Sequence, residues 1–75
     1  MKRYARVNIS HSGQADDVAA YLPSNYEVSE VRPDHVIIEG EDNAGWTLDD
    51  YVIPRLGSGL YVAREIGQQP TLDGE

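Results

Sequence analysis

This chain has 75 residues, no cysteine, and thirteen acidic against six basic residues, for a formal net charge of −7. The length predicts one domain, and the missing cysteines exclude disulfide bonds, thiolate metal sites and cysteine nucleophiles. The negative charge would repel phosphate backbones and anionic membranes, so neither nucleic acid nor a membrane is expected as a partner. Small secreted domains usually need disulfide bonds, so the cytoplasm is the expected location.

Two apolar patterns near the start predict a strand followed by a short helix. Residues 4–10 alternate between apolar and polar side chains, which is the period of a half-buried strand. Residues 14–22 predict a helix, with Ser12 as its expected cap and Pro23 as its end. The apolar stripe of this helix consists of Ala15, Val18, Ala19 and Leu22.

The middle of the chain predicts a hairpin of two strands. Residues 26–32 form the expected second strand and residues 35–41 the third, joined by a proline-containing turn. Val31 has the wrong parity for its strand, so either it points outward or a bulge near Ser29 shifts the register. Residues 36–38 are all apolar, which predicts that the third strand lies in the interior of the sheet.

The second helix is predicted to begin at Thr47, where the sequence resembles a capping box. Trp46 before the cap has two interpretations, either a hydrophobic staple packed on Tyr51 or an exposed anchor for a partner. Pro54 removes a backbone hydrogen bond, so we expect a kink or a helix of two short pieces. Gly57 is the expected end of this helix.

Residues 60–66 predict a fourth strand, and the polar residues 67–75 are expected to form a flexible tail beyond a domain of residues 1–66. One side of this strand is expected to carry Leu60, Val62 and Ile66, and the other Tyr61, Ala63 and Glu65. The side with Val62 is expected to join Val7, Ile9 and Ile38 beneath the helices.

The order strand, helix, strand, strand, helix, strand is that of the split βαβ (ferredoxin-like) fold, an α+β class. It predicts a four-stranded antiparallel sheet with strand order 4-1-3-2 and two short helices on one face. The alternative is a less regular α+β arrangement, in which Pro54 leaves the second helix too short to span the sheet.

Residues 45–60 contain the segments GWTLD, YVIPRL and SGL in that order. This pattern resembles one found in short uncharacterised proteins of actinobacteria and their bacteriophages. The resemblance implies a small accessory protein in a bacterial or phage-infected cytoplasm. It transfers no catalytic residue.

Three groups of residues could hold a ligand, and each also has a simpler interpretation. His11 and His35, with Asp34, could form a weak metal or acid/base site, or they are ordinary turn histidines. The acidic run 39–50 is rich in oxygen ligands but lacks the spacing of a calcium-binding EF-hand loop. Residues 57–59 follow a helix and lack the lysine of a phosphate-binding loop, so a tight turn explains them. We therefore assign no catalytic residue, cofactor or metal, and we predict no enzyme activity.

The uncovered face of the sheet is the expected interaction surface, because tyrosine and arginine are enriched in protein interfaces. Its expected residues are Tyr4, Arg6, Asn8, Ile37 and Tyr61, with Trp46 as a separate candidate anchor. The predicted function is a small non-enzymatic protein-interaction module that binds a host protein or a second copy of itself, as a homodimer. Two alternatives are an acidic DNA mimic, suggested by residues 39–50, and a small-molecule or metal-binding module.

Overall fold

The computed structural model describes residues 2–67 and contains four strands and two short helical segments, in the order strand, helix, strand, strand, helix, strand. The strands are β1 (Arg3–Asn8), β2 (Tyr26–Val31), β3 (His35–Gly40) and β4 (Ala63–Ile66). A 3₁₀ turn (Ser12–Gln14) leads into α1 (Ala15–Ala20), and a π-helical turn (Leu48–Val52) leads into α2 (Ile53–Ser58). The predicted α+β class is confirmed. The predicted tail lies outside the described residues, except for Gly67.

The strands form one sheet in the order β2-β3-β1-β4, and every neighbouring pair is antiparallel. Read from the β4 edge, this order is 4-1-3-2. β3 lies in the interior of the sheet, and its residues Val36, Ile37 and Ile38 are all buried, as their apolar sequence predicts. Within residues 2–67, neither helical segment has the length and apolar character needed to cross a membrane.

Of the two alternatives left open for Val31, the structure shows the bulge in β2. Val28 lies opposite Ile38, but the pairing shifts before Glu30, which lies opposite Ile37. The shift leaves one extra residue, Ser29, on β2, so that Val31 lies opposite a core residue at the end of the strand.

The apolar core lies between the helices and one face of the sheet. Its buried residues are Ala5, Val7, Val18, Tyr26, Val36, Ile38, Leu48, Val52 and Leu56. Three of them, Leu48, Val52 and Leu56, are spaced four residues apart and therefore form one stripe along the second helical segment.

The second helical segment consists of two pieces, as Pro54 predicts. The hydroxyl of Thr47 accepts the N–H of Asp50 at 3.2 Å, which confirms Thr47 as the cap. The N–H of Val52 then bonds the carbonyl of Thr47 at 3.1 Å, five residues back, which widens the first turn. Pro54 follows in the first turn of α2, where its missing N–H costs little.

Two expected helix boundaries are wrong. Ser12 does not cap the first helix, because the 3₁₀ turn already begins there after His11. The side chain of Gln14 instead accepts the N–H of Ser10 at 2.6 Å. α2 continues past Gly57 to Ser58 and ends at Gly59.

The expected orientation of the fourth strand is also wrong. β4 begins at Ala63, which lies opposite the core residue Val7. Strand alternation therefore places Val62 and Arg64 on the open face and Tyr61 on the helix-covered face. The reason is the turn before the strand, where Leu60 has a positive φ of 71° and the N–H of Tyr61 bonds the carbonyl of Leu56.

Candidate functional site

The face of the sheet opposite the helices carries mostly polar and charged side chains. Strand alternation places on it Glu27, Glu30, Tyr4, Arg6, Asn8, His35, Ile37, Glu39, Val62, Arg64 and Ile66. Ile37 is only 3% exposed, so this predicted interface residue is not available for contact. Its neighbours across the strands are Arg6 and Glu30, whose long side chains flank it. The exposed residues of the open face are Glu27 on the β2 edge and, on the β1–β4 side, Arg6, Asn8, Val62 and Arg64.

Two arginines face each other across β1 and β4. Arg6 and Arg64 are direct partners in the strand register, and they line one cleft of about 280 Å³ together with Asn8 and Val62. The Nε of Arg6 donates to the Oδ1 of Asn8 at 3.2 Å, which orients its guanidinium. The cleft thus presents a concentrated positive charge on a protein whose net charge is −7.

Two exposed apolar side chains border this arginine pair. Val62 is 66% exposed, and Leu60, in the turn before it, is 91% exposed. Both also line a second cleft of about 380 Å³, which shares Asn8 and Val62 with the first. We call Arg6, Asn8, Leu60, Val62 and Arg64 the β4 patch. It combines a fixed positive charge with an apolar surface that the fold leaves uncovered.

The backbone of Leu60 makes its exposure more notable. A φ of 71° lies in the left-handed region, which costs a non-glycine residue roughly 1 kcal/mol. Glycine is the usual residue at this position after a helix. A leucine here adds strain, and its exposed side chain returns almost no burial energy to the fold.

The other predicted interface residues occupy different places. Tyr4 is half-buried on the open face, whereas Tyr61 packs its ring 6.0 Å from Tyr21 on the helix-covered side. The ring of Trp46 lies 4.4 Å from that of Tyr51 in an edge arrangement, which confirms the staple. Trp46 also remains 41% exposed, so the staple does not bury the indole fully.

Sequence inspection missed Leu60, Val62 and Arg64 as candidates. The apolar residues from Leu60 onward match a strand about equally well on either parity, so the pattern itself carries no decisive signal. The start of the strand depends on the left-handed turn at Leu60. Such a turn is usually indicated by a glycine, and this position holds a leucine.

Two bases from the start of the chain pair with part of the acidic run 39–50. Arg3 donates to the carboxylates of Asp42 at 2.5 Å and Asp49 at 3.0 Å, and it binds both oxygens of Glu65 at 2.7 and 2.9 Å. Lys2 likewise pairs with Glu39 at 3.3 Å. Lys2 and Arg3 thus contact three of the five carboxylates of the run, but these two cations neutralise only part of its negative charge.

Asp42 is the centre of this network. Its Oδ1 accepts the hydroxyl of Tyr26 at 2.6 Å and the N–H of Leu48 at 2.8 Å. The Tyr26 hydrogen bond, followed by those from Arg3 and the Leu48 N–H, holds the pKa of Asp42 below its usual range despite partial desolvation. Burial, reinforced by the bond to Asp42, raises the pKa of Tyr26. Asp42 thus ties the loop, β2 and the second helical segment to Arg3.

The candidate metal ligands are only partly brought together. His35 Nδ1 lies 2.7 Å from Asp34, and this contact lowers the pKa of Asp34. His11 forms no hydrogen bond with either residue. Across residues 2–67, no cluster of three or more histidine, aspartate or glutamate side chains is arranged to hold a metal ion.

Acid should destabilise the protein through Asp42. Because the folded-state pKa of Asp42 is lowered, its contribution is complete above the usual value of 3.8 and is lost as pH falls toward the folded pKa. Thermal unfolding between pH 7 and pH 2 should therefore show a falling melting temperature. The Asp42→Asn variant should melt lower at pH 7 and lose less on acidification, and an unchanged acid profile would contradict this assignment.

The chain matches no protein family model, no curated protein and no solved structure at a significant level.

Proposed function

We propose that this protein is a small non-enzymatic interaction module that binds another protein through the β4 patch. The observation that carries the proposal is a pair of exposed apolar residues, Leu60 and Val62, beside two facing arginines. Arginine and buried apolar anchors supply much of the binding energy in protein interfaces. This patch offers both, because Val62 lines one cleft with the two arginines and a neighbouring cleft with Leu60.

The strain at Leu60 supports the same proposal. Backbone strain that the fold does not need is concentrated at functional sites. Here the strained residue is also the most exposed of the large apolar side chains among residues 2–67. A partner that buried Leu60 and Val62 would recover roughly 1.5–3 kcal/mol for each fully buried side chain.

We also propose the split βαβ (ferredoxin-like) fold and a bacterial cytoplasmic setting, with a host protein as the partner of a phage accessory protein. The strand order 4-1-3-2 and the uniformly antiparallel pairing support the fold. The resemblance of residues 45–60 to proteins of actinobacteria and their phages supports the setting.

Replacing Leu60 with glycine should stabilise the free protein by about 1 kcal/mol, because glycine adopts the left-handed conformation without strain. The melting temperature should rise by roughly 4–8 °C. Circular dichroism during heating measures this change. An unchanged or lower melting temperature would show that the leucine side chain contributes to folding, which would weaken the argument from strain.

The binding test uses a double variant, Leu60→Gly with Val62→Thr, on the immobilised full chain. We expect a bacterial protein to be captured by the wild type and lost by the double variant, as measured by quantitative mass spectrometry. Val31→Thr is the matched control, because Val31 is a similarly exposed valine on the opposite edge strand. Capture that the double variant retains, or no reproducible capture, would refute the proposal.

A further inference from the structure

We infer that Arg6 and Arg64 bind a carboxylate of the partner, so that the β4 patch accepts an acidic, extended peptide segment that also carries an apolar side chain. This inference rests on the proposed function and names the class of its partner. The first observation is the register itself, since the two arginines are direct cross-strand partners. Like charges in this position destabilise a sheet, so folding alone does not account for the pair.

The second observation is that these guanidinium groups keep donors available. The other four basic residues each donate to an acid or a carbonyl within the fold: Lys2 to Glu39, Arg3 to three carboxylates, Arg32 to Glu30 and Arg55 to Tyr21. The Arg64 side chain, by contrast, forms no hydrogen bond or ion pair within residues 2–67.

Arg6 is only weakly neutralised. Its Nη2 lies 3.8 Å from the carboxylate of Asp34, which makes a shorter contact of 2.7 Å with His35. Asn8 accepts the Nε–H of Arg6, and Arg6 and Arg64 both line the same cleft. Guanidinium groups bind the two oxygens of a carboxylate with paired N–H donors, so a carboxylate is the anion that best suits two arginines at one cleft.

The surroundings of the arginine pair favour a peptide over other anions. A long polyanion such as nucleic acid, or an anionic membrane, would approach a protein of net charge −7 and meet repulsion beyond the cleft. A nucleic acid would also leave the exposed apolar surfaces of Leu60 and Val62 uncovered. A short acidic segment carries few charges and can supply both kinds of contact.

The spacing on β4 fixes the pattern of the segment. Val62 and Arg64 are two residues apart and point to the same face, so their side chains are separated by roughly 7 Å along the strand. An extended peptide repeats its side chains at the same interval. The expected segment therefore places an aspartate or glutamate two positions from a leucine-like residue.

The test is an NMR titration of the ¹⁵N-labelled full chain with a capped seven-residue peptide that carries aspartate and leucine two positions apart, with serine at the positions between them. We expect saturable shifts at Arg6, Val62 and Arg64, and weaker binding at higher salt. The Arg64→Gln variant should raise Kd about tenfold or more, because hydrogen bonds between charged groups are lost. Lys2→Gln is the matched control and should leave Kd unchanged, because Lys2 already pairs with Glu39.

Several results would overturn this inference. If a peptide with asparagine in place of aspartate bound equally well, or if no amide shifted at all, the carboxylate would be rejected as the group that the arginines bind. If inorganic phosphate or a short DNA duplex bound more tightly at the same arginines, the ligand would be a phosphate group and not an acidic peptide. Concentration-dependent dimerisation that shifts the same amides would make a second copy the occupant. The proposed function would survive a failed peptide titration if the Leu60→Gly, Val62→Thr variant still lost the captured protein.

Discussion

Replacing Arg3 with methionine is expected to lower the free energy of unfolding by about 2–3 kcal/mol, because three carboxylates lose their common cation. Asp42, Asp49 and Glu65 all bind this one guanidinium, and without it they repel one another. A chain of this size is stabilised by roughly 4–11 kcal/mol in total. The loss would thus be a large share of the stability, and the melting temperature should fall by roughly 10 °C or more.

Arg64→Met is the matched control for Arg3→Met. It makes the same chemical change on an exposed side chain that binds no carboxylate within residues 2–67, so its effect should stay within about 0.5 kcal/mol. Urea unfolding of both variants at pH 7 measures the difference. Equal effects of the two substitutions would mean that the network around Arg3 adds nothing beyond an ordinary surface ion pair.

The Gly40→Ala variant should be destabilised by at least about 2 kcal/mol, because there is no room for a Cβ at this position. An added Cβ would lie 2.2 Å from the carbonyl oxygen of Asn25 and 2.6 Å from the ring of Tyr26. The carbonyl belongs to the backbone and the ring is buried, so neither can move without disturbing the core. Because Tyr26 also holds Asp42, the damage should spread to the network around Arg3.

Gly57→Ala is the control for Gly40→Ala. Gly57 lies inside α2, and an added Cβ there would meet no atom within 4 Å. Alanine favours the helix, so this variant should gain about 0.5–1 kcal/mol. Opposite signs in the two variants are the expected result. A tolerated alanine at position 40 would show that Tyr26 can repack without loss.

Much of the fold could be predicted because its signals are local. The all-apolar β3, the parity change that marks the bulge at Ser29, the cap at Thr47 and the break required by Pro54 all depend on a few neighbouring residues. These local preferences are kept in the folded chain because they agree with the tertiary contacts of the fold.

The β4 patch could not be predicted, because residues 60–66 fit either parity and the orientation of β4 depends on the left-handed turn at Leu60 and on a long-range contact. Glu65 lies opposite Ala5 on the helix side of the sheet, although its side chain remains 40% exposed. Arg3, 62 residues earlier, makes that position acceptable by binding both carboxylate oxygens. The alternation of residues 60–66 does not indicate that Glu65 pairs with Arg3. With the turn at Leu60 and the contact to Arg3 both in place, Val62 and Arg64 face outward.

The position of β1 in the middle of the sheet has a consequence for how the chain matures during synthesis. β1 is made first, yet both of its neighbours, β3 and β4, are made much later. On the ribosome, its residues have to wait in an unpaired state while the β2–β3 hairpin, which closes the shortest loop, assembles first. The sheet is complete only when β4 has left the exit tunnel and docked against the strand that emerged at the start.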